Sequence, residues 1–160
     1  MRSLQNLGIF LARTFISLLF IFSGIDKILD WQNAEGGLIS LLCDWHNYLS
    51  ASPQMQDFIT NILLWTPFIL GFIVVFQMVG GLMLLLGIKP RLGALLLIIF
   101  LVPMTILLHH FWFLPSEKKE VELAFFMKNL AILGGLLLIL VHGASLKKKP
   151  MEFPQNAGKK

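Results

Sequence analysis

Four apolar runs, at about residues 7–29, 65–86, 92–110 and 121–142, constrain this chain more than any other feature. Each is close to the ~20 residues that a helix rising ~1.5 Å per residue needs to cross ~30 Å of hydrocarbon. Inside lipid the backbone must satisfy its own N–H and C=O groups, which leaves helices or closed barrels. A barrel requires alternating strands of ~10 residues, and these leucine-rich runs do not alternate. Composition agrees, because 56% of the residues are hydrophobic and only 14% are charged, against about 25% charged in soluble domains. The expected fold is therefore all-α, an integral membrane bundle of four transmembrane helices over residues 1–146, followed by a basic tail over 147–160.

The first run follows Arg2 and could be taken for a secretory signal. It is longer than a typical signal core, no Ala-x-Ala pattern follows it, and it ends in "GIDKILDW", so it is expected to remain as the first span.

Four spans put both termini and the tight link "GIKPRLG" on one side of the membrane. That side carries Arg2, Lys89, Arg91, Lys147, Lys148, Lys149, Lys159 and Lys160, whereas the other carries Lys27, Lys118 and Lys119. By the positive-inside rule both termini face the cytoplasm. The "KKKP" tail then reads as an orienting flank that touches anionic lipid, and nucleic acid is not an expected partner.

Of the two outer connections, "FWFLPSEKKE" is short, with Trp112 at interface depth and Pro115 expected to end the third span. The other, about residues 30–64, is too long for a plain loop. Within it Leu38, Leu41, Leu42, Trp45 and Leu49 recur at helical spacing, and Ser52-Pro53 forms an N-cap followed by a proline at N1. One or two interfacial helices lying over the outer mouth of the bundle are expected here.

Polar residues inside the spans carry the remaining information. At ~100° per residue Arg13, Ser17, Phe20, Gly24 and Lys27 fall within about 40° of one direction, a stripe that should face protein. Arg13 lies about 9 Å along the helix from Leu7, within snorkelling reach of the inner surface, and reads as a packing and orientation residue. Asp26 and Lys27 lie near the outer end, as do His109 and His110 at the end of the third span and Lys128 and Asn129 in the fourth. A lysine at that depth must snorkel or find a carboxylate, for which Asp26 and Glu122 are available. The expectation is an outer-half polar pocket of Asp26, Lys27, His109, Lys128 and Asn129, set against the plainer reading of charges at interface level. Gly24 would admit a neighbouring helix, and Gln77, beside Gly80 and Gly81, reads as packing glue at a close helix contact.

Named chemistries are sparse. Cys43 is the lone cysteine, which excludes dithiol exchange between paired thiols within the chain. Cys43 and His46 have a C-x-x-H spacing, but together with His109 and His110 they do not make the compact four-ligand set of structural zinc, and no metal site is read. There is no phosphate loop or dinucleotide fingerprint, and "SGIDK" lacks the first glycine of a nucleophile elbow.

The ordered set "ARTFISLLFIFSGIDKI", "FQMVGGLMLLLGIKPRLGALLL", a His-His pair ending the third span and "MKNLAILGGLLLIL" resembles the DoxX family of small four-helix bacterial membrane proteins. The matching points are Arg13, Gly24, Lys27, Gly80, Gly81, Gly87, Arg91, His109, Lys128 and Asn129, and the resemblance covers nearly all of the chain. Many relatives have a glutamate where this chain has Gln77, so any proton-linked role of that carboxylate does not carry over.

The resemblance implies a bacterial cytoplasmic (inner) membrane and a redox setting. Some relatives are subunits of a thiosulfate:quinone oxidoreductase, and others are linked to complexes handling oxidative and thiol stress. Three classes follow: a membrane-embedded subunit or anchor of such a complex; a quinone-binding oxidoreductase subunit with Lys27, His109 and Lys128 as carbonyl hydrogen-bond donors; and a small-molecule carrier, which would call for an internal repeat and broken helices. The first leads. The partners implied are membrane lipids, a protein partner within a membrane complex and, among the readings left open, a second copy of the chain.

Overall fold

The computed structural model describes residues 2–142, so the basic tail expected over 147–160 lies outside the described residues. The chain runs α1 (Arg2–Leu29), α2 (Trp31–Tyr48), α3 (Pro53–Leu63), α4 (Thr66–Leu86), α5 (Pro90–Leu108), a 3-10 turn (Phe111–Phe113) and α6 (Ser116–His142). Among the described residues there is no strand, and four helices are long and apolar enough to cross a membrane: Leu7–Leu29 in α1, Thr66–Leu86, Pro90–Phe113 and Ser116–His142. The expected all-α membrane bundle is the fold observed.

Neighbours pack in the order α1–α4–α5–α6, and a lighter α1–α6 contact closes the ring. Phe20, Leu84, Leu97 and Leu136 are fully buried at its centre, while outward residues such as Phe15 and Phe72 are each 67% exposed. A bundle in lipid gains nothing by hiding leucine from leucine-like tails, so close packing must hold it together. α4 achieves this with adjacent glycines about 100° apart on the helix. A Cβ on Gly80 would lie 2.8 Å from Leu97 and 3.2 Å from the Gly93 carbonyl oxygen of α5, and one on Gly81 would lie 2.9 Å from Ile21 of α1. One glycine thus serves each neighbour. Gly24 of α1 meets Met78 of α4 in the same way, at 2.8 Å from its sulfur.

At the C-terminal end of α4 the chain turns through Gly87, whose φ of 72° is left-handed. Its N–H bonds Leu84 O at 3.3 Å, and the next N–H, of Ile88, bonds Met83 O at 3.1 Å, closing the helix. Arg13 reaches this end from α1. Its Nε and one terminal nitrogen donate to Leu84 O at 3.1 and 2.8 Å, and the residue is only 6% exposed. The guanidinium is therefore seated on a helix C-terminus, where a cation is favoured by the dipole, instead of snorkelling to the surface.

Two elements, α2 and α3, fill the connection between α1 and α4, and α2 packs against α4, α3 and α1. α2 starts directly after α1, because Asp30 both bonds back to Asp26 O through its N–H, at 3.0 Å, and accepts from Asn33 N with its side chain, at 3.4 Å. α3 begins at Pro53 after Ser52, whose side chain makes no capping bond. The third span runs to Phe113, but its α-helical part ends well before Pro115. α5 stops at Leu108, and the Pro115 carbonyl instead accepts from Lys118 N and Lys119 N, at 3.1 Å each, as α6 begins.

Candidate functional site

The last two turns of α1 build one wall of the site. Lys27, spaced one turn after Ser23, bends its ammonium back to donate to Ser23 Oγ at 2.8 Å and to Ser23 O at 3.1 Å. Ser23 Oγ also accepts from Gln77 Nε2 of α4 at 3.3 Å. Gln77 is 3% exposed, and its Oε1 is buried with no hydrogen-bond partner among the described residues. Turning the amide over would only exchange which of its two polar atoms is unpaired. Eleven residues from Thr66, or about 16 Å along α4, Gln77 stands near mid-span, so a polar line runs from the outer end of α1 towards the bundle centre.

That line opens outward into a cavity of about 290 Å³ between α1, α2, α4 and α5. Its polar lining is Asp26, Lys27, Asp30 and Asn33, and its apolar lining includes Leu38, Leu70, Ile73 and Met104. A compact apolar chamber with a few convergent polar groups is the usual form of a small-molecule site.

The lid over this region is pinned. Trp45 of α2 donates its indole N–H to Leu107 O at the end of α5, at 2.9 Å. The same carbonyl accepts from Nδ1 of His110 at 3.0 Å, and the ring of His110 meets Trp45 and Tyr48 edge-on with centroids 5.6 and 5.3 Å apart. Phe113 completes the cluster, stacked on Tyr48 at 4.9 Å.

The five residues expected in one pocket are distributed over separate places. Asp26 and Lys27 share the cavity just described. His109 lies across α5, where its Nδ1–H donates to Glu122 Oε2 of α6 at 2.7 Å, and it stacks on Phe125 at 5.6 Å. Asn129 lines a separate cavity, of about 170 Å³, between α5 and α6. Lys128 is exposed, and its ammonium sits 4.7 Å from the centroid of the Phe125 ring, a cation–π contact in place of the expected carboxylate. Glu122 is engaged by His109, and Asp26 is not paired with Lys128.

Sequence reasoning did not assign Ser23, Asn33 or Tyr48 to the site, and it read Trp45 only as part of a helix face. Ser23 had a readable signal in its spacing of four before Lys27, and Lys128 likewise in its spacing of three after Phe125. Trp45 had none, since its partner is a backbone carbonyl 62 positions away.

Comparison with known proteins follows this geometry. The family model DoxX matches residues 8–110. The chain is 29% identical over 143 residues to the inner membrane protein YqjF of Escherichia coli, covering 89% of each chain. It is also 33% identical over 73 residues to the ER-derived vesicles protein ERV29 of Saccharomyces cerevisiae, 46% of this chain but only 24% of that protein's length. No solved structure matches the chain. The family model spans α1 through α5 and with it Arg13, Gly80, Gly81 and the whole wall of the outer cavity. The chain is a multi-pass membrane protein that belongs to the DoxX family.

Proposed function

We propose that this protein is a membrane-embedded subunit of a redox-related complex, and that its own contribution is a binding site for the head of a quinone-type molecule. The supporting observation is the outer cavity, in which Lys27 and Asn33 offer hydrogen-bond donors above an apolar floor of Leu70, Ile73 and Met104. A quinone head needs this combination: donors for its carbonyl oxygens, apolar contact for its ring and an outlet to lipid for its tail. The chain's residues bind and orient the head, while a bound quinone supplies the capacity to accept and release electrons. The inner-membrane relative supports a bacterial cytoplasmic membrane, and the basic residues around the α4–α5 link favour cytoplasmic termini.

A plain anchor is the second reading, favoured by the way Arg13, Ser17 and Gln77 are spent on contacts inside the bundle. Purification of wild-type protein and a Lys27→Met variant from native membranes, followed by solvent extraction and identification of partners, separates the two. A charge-assisted hydrogen bond is worth ~1.5–3 kcal/mol, so the variant should carry about tenfold less quinone while retaining its partners. Wild-type protein that brings partners but no quinone would leave the anchor alone.

A further inference from the structure

A second cavity, of about 580 Å³, lies beside the first and shares Gly37 and Leu108 with it. It opens between α2 and the start of α6, and its volume is within the ~300–1,000 Å³ range of small-molecule sites. Its charged lining is acidic on balance, with Asp44 from α2, Glu117 and Glu122 from α6, and a single cation, Lys118.

Carboxylates alone would not make a site, but the cavity also has a fixed, buried acceptor. His110 is 7% exposed and lines it. Its Nδ1 faces the Leu107 carbonyl at 3.0 Å, and a carbonyl only accepts, so the proton is on Nδ1. In the neutral ring Nε2 then holds a lone pair with no partner among the described residues. The edges of Trp45 and Tyr48 keep the imidazole from turning. Glu122, which also lines the cavity, is held by the bond from His109 to one of its oxygens.

We propose that this cavity binds the phosphoethanolamine headgroup of a lipid. A primary ammonium has three N–H donors, and Asp44 of α2, Glu117 and Glu122 of α6 and the His110 ring line the cavity from different walls with acceptors for them. The phosphate is then met by Lys118, the cation at the same rim. Leu108, Leu114 and Val121 offer the apolar wall that the glycerol and first chain carbons require. The level in the membrane fits a lipid, because the cavity lies where α5 ends and where Trp112 and Phe113 are exposed in the manner of an interfacial aromatic belt.

The test uses the purified, delipidated full-length chain, titrated with phosphatidylethanolamine or phosphatidylcholine of identical acyl chains and read by native mass spectrometry. A trimethylated ammonium has no N–H to donate, so the ethanolamine lipid should bind about tenfold more tightly. Asp44→Asn combined with Glu117→Gln alters two exposed positions and should bring the two lipids close to parity without lowering the melting temperature. Lys118→Gln should weaken both lipids alike, because both carry the phosphate. Equal binding of the two lipids to the wild-type chain, or an undiminished preference in the double variant, would overturn the proposal. Displacement of bound lipid by putrescine as effectively as by free phosphoethanolamine would assign the cavity to soluble amines and overturn the lipid assignment.

Discussion

At the scale of single residues, Arg13 and Gly87 form one device. A Cβ at position 87 would lie within van der Waals overlap of the Arg13 guanidinium, and the backbone there is already left-handed. Gly87→Ala therefore carries two penalties: about 1–2 kcal/mol for the left-handed conformation, and loss of the arginine's seat on Leu84 O. Arg13→Leu should itself cost about 1.5–3 kcal/mol, the worth of a charged hydrogen bond to a buried carbonyl. In the double variant the clash is gone, so the combined loss should fall short of the sum by about 1 kcal/mol. Thermal unfolding of the four proteins in one detergent measures this, and strict additivity would show that the two residues act apart. The sequence placed Arg13 on the protein-facing stripe of α1 and near the inner surface. Its partner was not legible, because the carbonyl it caps is exposed only by the end of a helix 71 positions away.

At the scale of elements, α2 packs against α4, α3 and α1 and is tied to the end of α5 by one polar bond and an aromatic cluster. Leu38, Leu41 and Trp45 announced a helix by their spacing, and Leu41 is indeed buried. What that helix docks on could not be read, since Trp45 selects a backbone carbonyl and His110, Tyr48 and Phe113 meet only when the end of α5 is in place. Trp45→Phe keeps a ring but deletes the N–H, which should cost ~1 kcal/mol of docking. The Leu49–Ser52 turn between α2 and α3 should then be cut several-fold faster by protease while the transmembrane helices stay protected. An unchanged cutting rate would show that ring packing alone holds the lid. The outer pocket was misjoined for a related reason. Depth along a helix is legible from residue count, but rotation about it is not, and Lys128 of α6 turns to Phe125 instead of towards Asp26 of α1.

At the scale of the whole molecule, hydrophobic length fixed the four spans, and the bundle order follows from short links joining α4 to α5 and α5 to α6. The long first connection became two helices because its apolar residues recur at helical spacing while Ser52-Pro53 interrupts them. The orientation that the positive-inside rule assigns from the basic residues is a proposal open to direct measurement. Cys43 is exposed on α2, so a membrane-impermeant maleimide added to intact cells should label it and leave a Cys43→Ser protein unlabelled. Labelling only after the membrane is opened would reverse the orientation.

The central claim is that the cavity beside Lys27 takes a quinone head, and a photoreactive quinone analogue tests it most directly. After irradiation in membranes and peptide mapping, the account predicts adducts on residues 26–38 and on Ile73 or Met104, reduced about tenfold by Lys27→Met. Adducts confined to lipid-facing residues such as Phe15 and Phe72, or labelling indifferent to Lys27→Met, would contradict it.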